Sequence, residues 1–141
     1  MKKISITAGA ALASLLAVSG GLQAQGMDIG AREYVDNCAV CHGSSGRGDG
    51  PLAGLITQKV TDLTQLSKEN NGIFPYARVY EVIDGTRMSK GHGSRDMPVW
   101  GSVYNAQAPQ WLGLDYARED AATFVRGRIL SLIGYIETLQ Q

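Results

Sequence analysis

Cys38-Ala39-Val40-Cys41-His42 is the stretch from which the rest of this chain is read. Two thiols stand two residues apart, and an imidazole follows at once. One helical turn would present both sulfurs to the same edge of a porphyrin, where each can form a thioether with a vinyl group. The next side chain then lies under the ring, with a nitrogen in reach of the metal. C-x-x-C-H in this order is the pattern of c-type haem attachment. Three plainer readings compete. A thiol–disulfide redox pair normally accompanies a strand–helix–strand pattern, and none surrounds Cys38. A zinc site usually takes four Cys or His ligands, whereas this chain offers only Cys38, Cys41, His42 and His92, two of them adjacent. A Cys38–Cys41 disulfide would close too small a loop to stabilise much, and it leaves His42 without a role.

Upstream of the motif, the chain begins like an export signal. Lys2 and Lys3 precede a mostly apolar run from Ile4 to Val18, and small residues follow, with an approximate cut after Ala24. Residues 1–24 are therefore expected to be a secretory signal peptide and 25–141 the working domain, a length suited to one domain. An uncleaved anchor is the alternative, but the apolar run is shorter than the ~20 residues a spanning helix needs. Export predicts a periplasmic location, where an unoccupied thiol pair would tend to oxidise. After the cut, 11 basic and 13 acidic residues would remain, a formal charge of −2. That excludes the strongly basic footprint of a nucleic-acid binder. The 18 glycines suit loops that pass close to a flat ring, because they carry no side chain.

Downstream, the pattern is helical with loops. A helix is expected over 28–39, capped by Asp28, with Ile29, Tyr34, Val35 and Cys38 at helical spacing. Gly30 inside it costs about 1 kcal/mol relative to Ala and is explained by a close helix crossing or by fraying of the first turn. Four glycines between Gly43 and Gly50 make a loop. It is not a phosphate-binding loop, since no Gly-Lys-Ser/Thr follows. Pro51 ends this loop; its carbonyl is a candidate acceptor for the second nitrogen of His42, or the residue is a simple turn proline. A short capped helix is expected over 61–66, and another helix over 77–84 with Val79, Val82 and Ile83 inward and Gly85 as its stop. Pro98 makes Met97 extended. Residues 102–116, with Pro109 and Gly113, look like a surface excursion with a turn of helix. The clearest helix runs over 120–140, where Phe124, Val125, Ile129, Leu132, Ile133, Ile136 and Leu139 keep a 3.6 period and Arg128 is the polar exception. Gly134 beside Tyr135 suggests close packing against the Gly30 region. No strand or repeat is evident.

Taken together, these residues resemble the class I (monohaem) c-type cytochromes of bacterial periplasmic type, over roughly Met27 to Leu139. Besides Cys38-x-x-Cys41-His42, Asp96-Met-Pro-Val-Trp-Gly101 is similar to the family's distal loop, in which the Met before Pro binds iron. Ile133 to Leu139 is similar to its C-terminal helix, whose aromatic residue packs on a small residue of the first helix, here Tyr135 on Gly30. The run ending at Pro51 is similar to the loop that holds the axial His. The resemblance implies an all-α cytochrome c fold, with three main helices around one haem c bound covalently through Cys38 and Cys41. It also implies iron ligated by His42 and Met97. Met88 and His92 are rival ligands to Met97. Two roles fit Trp100, core packing and an N–H bond to a haem propionate. Arg95 fits either a propionate partner or an exposed arginine.

The function this implies is a one-electron carrier, not an enzyme. It would pass electrons between periplasmic or membrane redox partners such as a dehydrogenase, a quinol-oxidising complex or a terminal oxidase. It is expected to be a monomer that does not bind nucleic acid. A dedicated cytochrome subunit of a periplasmic dehydrogenase is the second reading. A haem-based gas sensor or enzyme with a labile distal ligand is the third.

Overall fold

The C-terminal helix is the element against which the others pack. In the computed structural model, which describes residues 23–87, 97–113, 115 and 117–141, with side chains from residue 29 onward, the elements are α-helical with short 3-10 turns, and no strand occurs among the described residues. The helices are α1 (Gln23–Asn37), α2 (Ala39–His42), α3 (Tyr76–Asp84), α4 (Trp100–Leu112) and α5 (Arg118–Thr138). Helix α5 contacts α1, α3 and α4. The all-α architecture is as expected from the sequence. Among the described residues, no helix is long and apolar enough to cross a membrane. The expected signal segment falls almost wholly outside the described residues.

Helix α5 forms where its period predicts. Ala121, Val125, Ile129, Leu132, Ile133 and Ile136 are buried along one stripe. Burying each large aliphatic side chain contributes roughly 1.5–3 kcal/mol. Its start is secured by the Asp120 carboxylate, which accepts from the Ala117 N–H at 2.9 Å, and by the acidic first turn at the positive end of the helix.

Helix α1 crosses α5 at Gly30. A Cβ there would lie 2.1 Å from the Ser131 carbonyl oxygen and 3.2 Å from Tyr135 Cβ, so the close-crossing explanation of Gly30 holds. Gly134 plays no part in it, because a Cβ at Gly134 meets nothing within 4 Å. Tyr135 itself stacks on Tyr34, with ring centroids 5.1 Å apart. The buried face of α1 also differs from the expected one. Val35 is 61% exposed and Ile29 41%, while Glu33 and Tyr34 are buried. Tertiary contact overrides hydropathy here, since Glu33 finds a cation on α5.

Two further differences concern segments read as loops. Within the 102–116 excursion, residues 102–112 belong to α4, a 13-residue helix that contains Pro109. Trp100, Tyr104 and Ala108 recur every four residues on its buried face, and this packing outweighs the one backbone bond that Pro109 cannot donate. The short helix expected over 61–66 is a 3-10 turn at Leu63–Gln65. Its cap was legible: the Asp62 carboxylate accepts from Thr64 N at 2.9 Å and from the Thr64 hydroxyl at 2.7 Å. Helix α3 matches its expected span and stops at Gly85, whose φ of 89° suits glycine.

Candidate functional site: an apolar cavity bearing a thiol, an imidazole and a thioether

Helix α1 ends in the motif. The Cys38 N–H donates to the Tyr34 carbonyl at 2.8 Å, and the His42 N–H donates to the Cys38 carbonyl at 2.8 Å, so the five residues form one helical turn. The glycine-rich loop folds back over that turn. N–H groups of Gly48, Gly50 and Leu52 donate to the carbonyls of His42, Cys41 and Val40 at 2.8, 3.0 and 2.9 Å. This approach requires glycine at position 50, where a Cβ would lie 2.6 Å from the Ala39 and Val40 oxygens. From the other side, the Tyr34 hydroxyl donates to the Gly43 carbonyl at 2.7 Å.

Cys38 and His42 open onto a cavity of about 250 Å³, just under the ~300–1,000 Å³ usual for cofactor sites. Met97 and Trp100 form part of its wall, Val79, Val82 and Ile83 of α3 another, and Leu132 and Ile136 of α5 a third. Two regions distant in sequence, 38–42 and 97–100, thus bring a sulfur, an imidazole and a thioether to one apolar space. Trp100 is buried at the start of α4 and packs on Tyr104, with centroids 5.7 Å apart. Of the cavity's charged residues, Glu69 and Arg78 were not singled out from the sequence. Met88, His92 and Arg95 lie outside the described residues.

His42 is 7% exposed. Its Nδ1 lies 3.1 Å from the Thr61 carbonyl oxygen. A carbonyl only accepts, so Nδ1 carries the proton and Nε2 keeps its lone pair. Burial holds the imidazole pKa below its ordinary value, with the Thr61 bond opposing more weakly; the neutral, ligating form is therefore favoured. The partner expected from the sequence was the Pro51 carbonyl. Pro51 is exposed, and the role falls to Thr61. The reason is the loop's path: residues 48–52 are bonded back onto α2, while Leu63 N–H donates to the Gly46 carbonyl at 2.7 Å and draws the 61–63 segment over the imidazole. No local signal marks Thr61 for this task, apart from its place beside the Asp62 cap.

The plainer readings of the motif do not fit this environment. No disulfide joins Cys38 and Cys41. Burial, followed by the charge of Glu33 and then Cys41, pushes the Cys38 thiol up to about 12. Redox-active C-x-x-C thiols need the opposite shift. Among the described residues, no cluster of three or more His, Cys, Asp or Glu side chains could hold a metal ion. A flat, largely apolar macrocycle does fit: the cavity supplies apolar walls, a nitrogen and a sulfur donor, and Arg78 as a cation for a carboxylate.

Fold and cavity together define a helical protein whose apolar interior space suits a thioether-linked haem. The cytochrome c family model matches residues 27–99, more than half of the chain, and the chain belongs to the cytochrome c family. Members hold haem c covalently, with iron, and Cys38 and Cys41 stand in the C-x-x-C-H motif of that attachment. The protein is accordingly a haem-based electron carrier. No curated protein and no solved structure gives a significant match.

Proposed function

We propose that the protein is a periplasmic one-electron carrier whose haem iron is held by His42 and Met97 and whose macrocycle is anchored by Cys38 and Cys41. The observation that carries this reading is the single apolar cavity shared by Cys38, His42 and Met97. When bound, haem supplies the one-electron couple. The chain's own residues set its conditions. The Nδ1–H bond to Thr61 fixes the His42 ring and raises the basicity of Nε2. The Met97 thioether, a soft donor, favours ferrous iron and raises the potential. The apolar walls exclude water, which limits reorganisation as the charge changes. His42 and Met97 would both be engaged in holding the iron, which would leave no site for a small substrate and supports a carrier over an enzyme.

Export through residues 1–24, with a cut near Ala24, would deliver the carrier to its partners: a dehydrogenase or quinol-oxidising complex as donor and a terminal oxidase as acceptor, in a respiratory chain. The exposed Trp111 (62%) and Leu112 (37%) at the end of α4 support a second reading, a stable cytochrome subunit of a periplasmic dehydrogenase. Absorption spectra of the ferrous protein with and without carbon monoxide test the ligand set. No change is expected from a closed six-coordinate iron. A prompt shift would remove Met97 as a firm ligand and turn the reading to gas sensing or catalysis.

A further inference from the structure

Behind the cavity wall lies a largely buried ion pair that the electron-carrier reading does not use. Glu33 of α1 is 4% exposed and pairs with Arg128 of α5, whose side chain is 20% exposed. Asn37 donates to the same carboxylate at 2.6 Å. The Arg128 guanidinium lies 5.4 Å from the Tyr104 ring, 5.2 Å from Trp111 and 5.6 Å from Phe124, and its Nε is buried without a hydrogen-bond partner.

Packing alone does not explain this pair. A largely buried charge pair seldom stabilises a fold more than apolar residues of similar volume do, and an orphaned N–H adds a further cost. The location suggests another use. Glu33 stands five residues before Cys38, and its charge acts on that sulfur. Arg128 sits on Tyr104, Tyr104 packs on Trp100, and Trp100 lines the cavity with Cys38. Glu33 thus acts on a sulfur of the cavity wall, and Arg128 stands two side chains, Tyr104 and Trp100, from the cofactor space, in a surrounding that screens fields less than water does.

We propose that Glu33 and Arg128 act as opposed electrostatic determinants of the haem reduction potential, Glu33 lowering it and Arg128 raising it. The physical basis is that reduction removes one positive charge from the iron centre. A buried carboxylate nearby favours the oxidised form, and a guanidinium favours the reduced form. Glu33 is the less exposed of the two, so its field is the less screened.

The inference rests on the haem-carrier reading, and its test is potentiometric titration of the full-length holoprotein. Glu33→Gln keeps the shape and the hydrogen-bonding capacity while removing the charge. It is expected to shift the one-electron reduction equilibrium toward ferrous iron by about tenfold, which corresponds to about 59 mV. Arg128→Gln is expected to shift it the other way. Opposite signs support the proposal. Two unmoved potentials, or two shifts in one direction, overturn it, because a general loosening of the fold would not respond to the sign of the charge removed. Should one variant fail to fold, the other decides by its own sign. A wild-type protein without covalent haem would sink the carrier reading instead, an outcome distinct from an intact haem with an unmoved potential.

Discussion

Replacing Gly30 with Ala puts the α1–α5 crossing to the test. In an ordinary helix this change stabilises by about 1 kcal/mol, because Gly loses more backbone entropy than Ala on folding. Here the new methyl would sit 2.1 Å from the Ser131 carbonyl oxygen, a backbone atom that cannot rotate away. The helices must separate by the better part of an ångström, and overpacking of this kind costs typically 1–3 kcal/mol. With the upper end of that range set against the propensity gain, the net loss is about 2 kcal/mol, or a fall in melting temperature of roughly 5–10 °C for a domain of this size. Gly134→Ala provides the control: it lies on α5 with nothing within 4 Å of the added Cβ, so only the propensity gain operates and the melting temperature should rise by a few degrees. Thermal unfolding of the holoprotein followed by far-UV circular dichroism distinguishes the two. A Gly30→Ala protein that melts at or above the wild type would refute the crossing argument. So would a Gly134→Ala protein that melts as early as Gly30→Ala.

Three further outcomes follow from the site. Met97→Ala should lower the reduction potential and let carbon monoxide bind the ferrous protein, as read by voltammetry and absorption; an unchanged potential and spectrum would remove Met97 from the iron. Replacing both Cys38 and Cys41 with Ser should abolish haem that survives acid–acetone extraction, and haem still attached in that double variant would contradict thioether linkage. Asp62→Ala should cost about 1 kcal/mol at neutral pH through loss of the cap on the 63–65 turn. Hydrogen bonding from Thr64, foremost from its hydroxyl, holds the Asp62 carboxyl below its ordinary 3.8. The group's folded pKa is depressed, so its stabilisation is complete above pH 3.8 and is lost as the pH falls through the folded value. The difference between wild type and variant, followed by urea unfolding across acid pH, should therefore shrink below pH 3.8; a constant difference would mean that Asp62 acts by some other route.

What the sequence by itself determined is local chemistry. C-x-x-C-H carries its cofactor in its own spacing, because one helical turn is enough to align two sulfurs and an imidazole. The 3.6 period of α5, the Asp62 cap and the Gly85 stop are likewise short-range, each set by residues within a few positions of one another. Helix α4 was missed because Pro109 and Gly113 are local loop signals, and what overrides them is the burial of Trp100, Tyr104 and Ala108 against the rest of the molecule. Hydropathy put Val35 inside α1 and could not put Glu33 there, since a carboxylate becomes buriable only once Arg128, some ninety residues later, is brought beside it. The acceptor for His42 was sought at Pro51, nine residues away, and is found at Thr61, because the loop's backbone bonds decide which carbonyl comes near. Partnerships across the chain depend on where folding brings distant segments, and that is decided by packing rather than by any one stretch of residues.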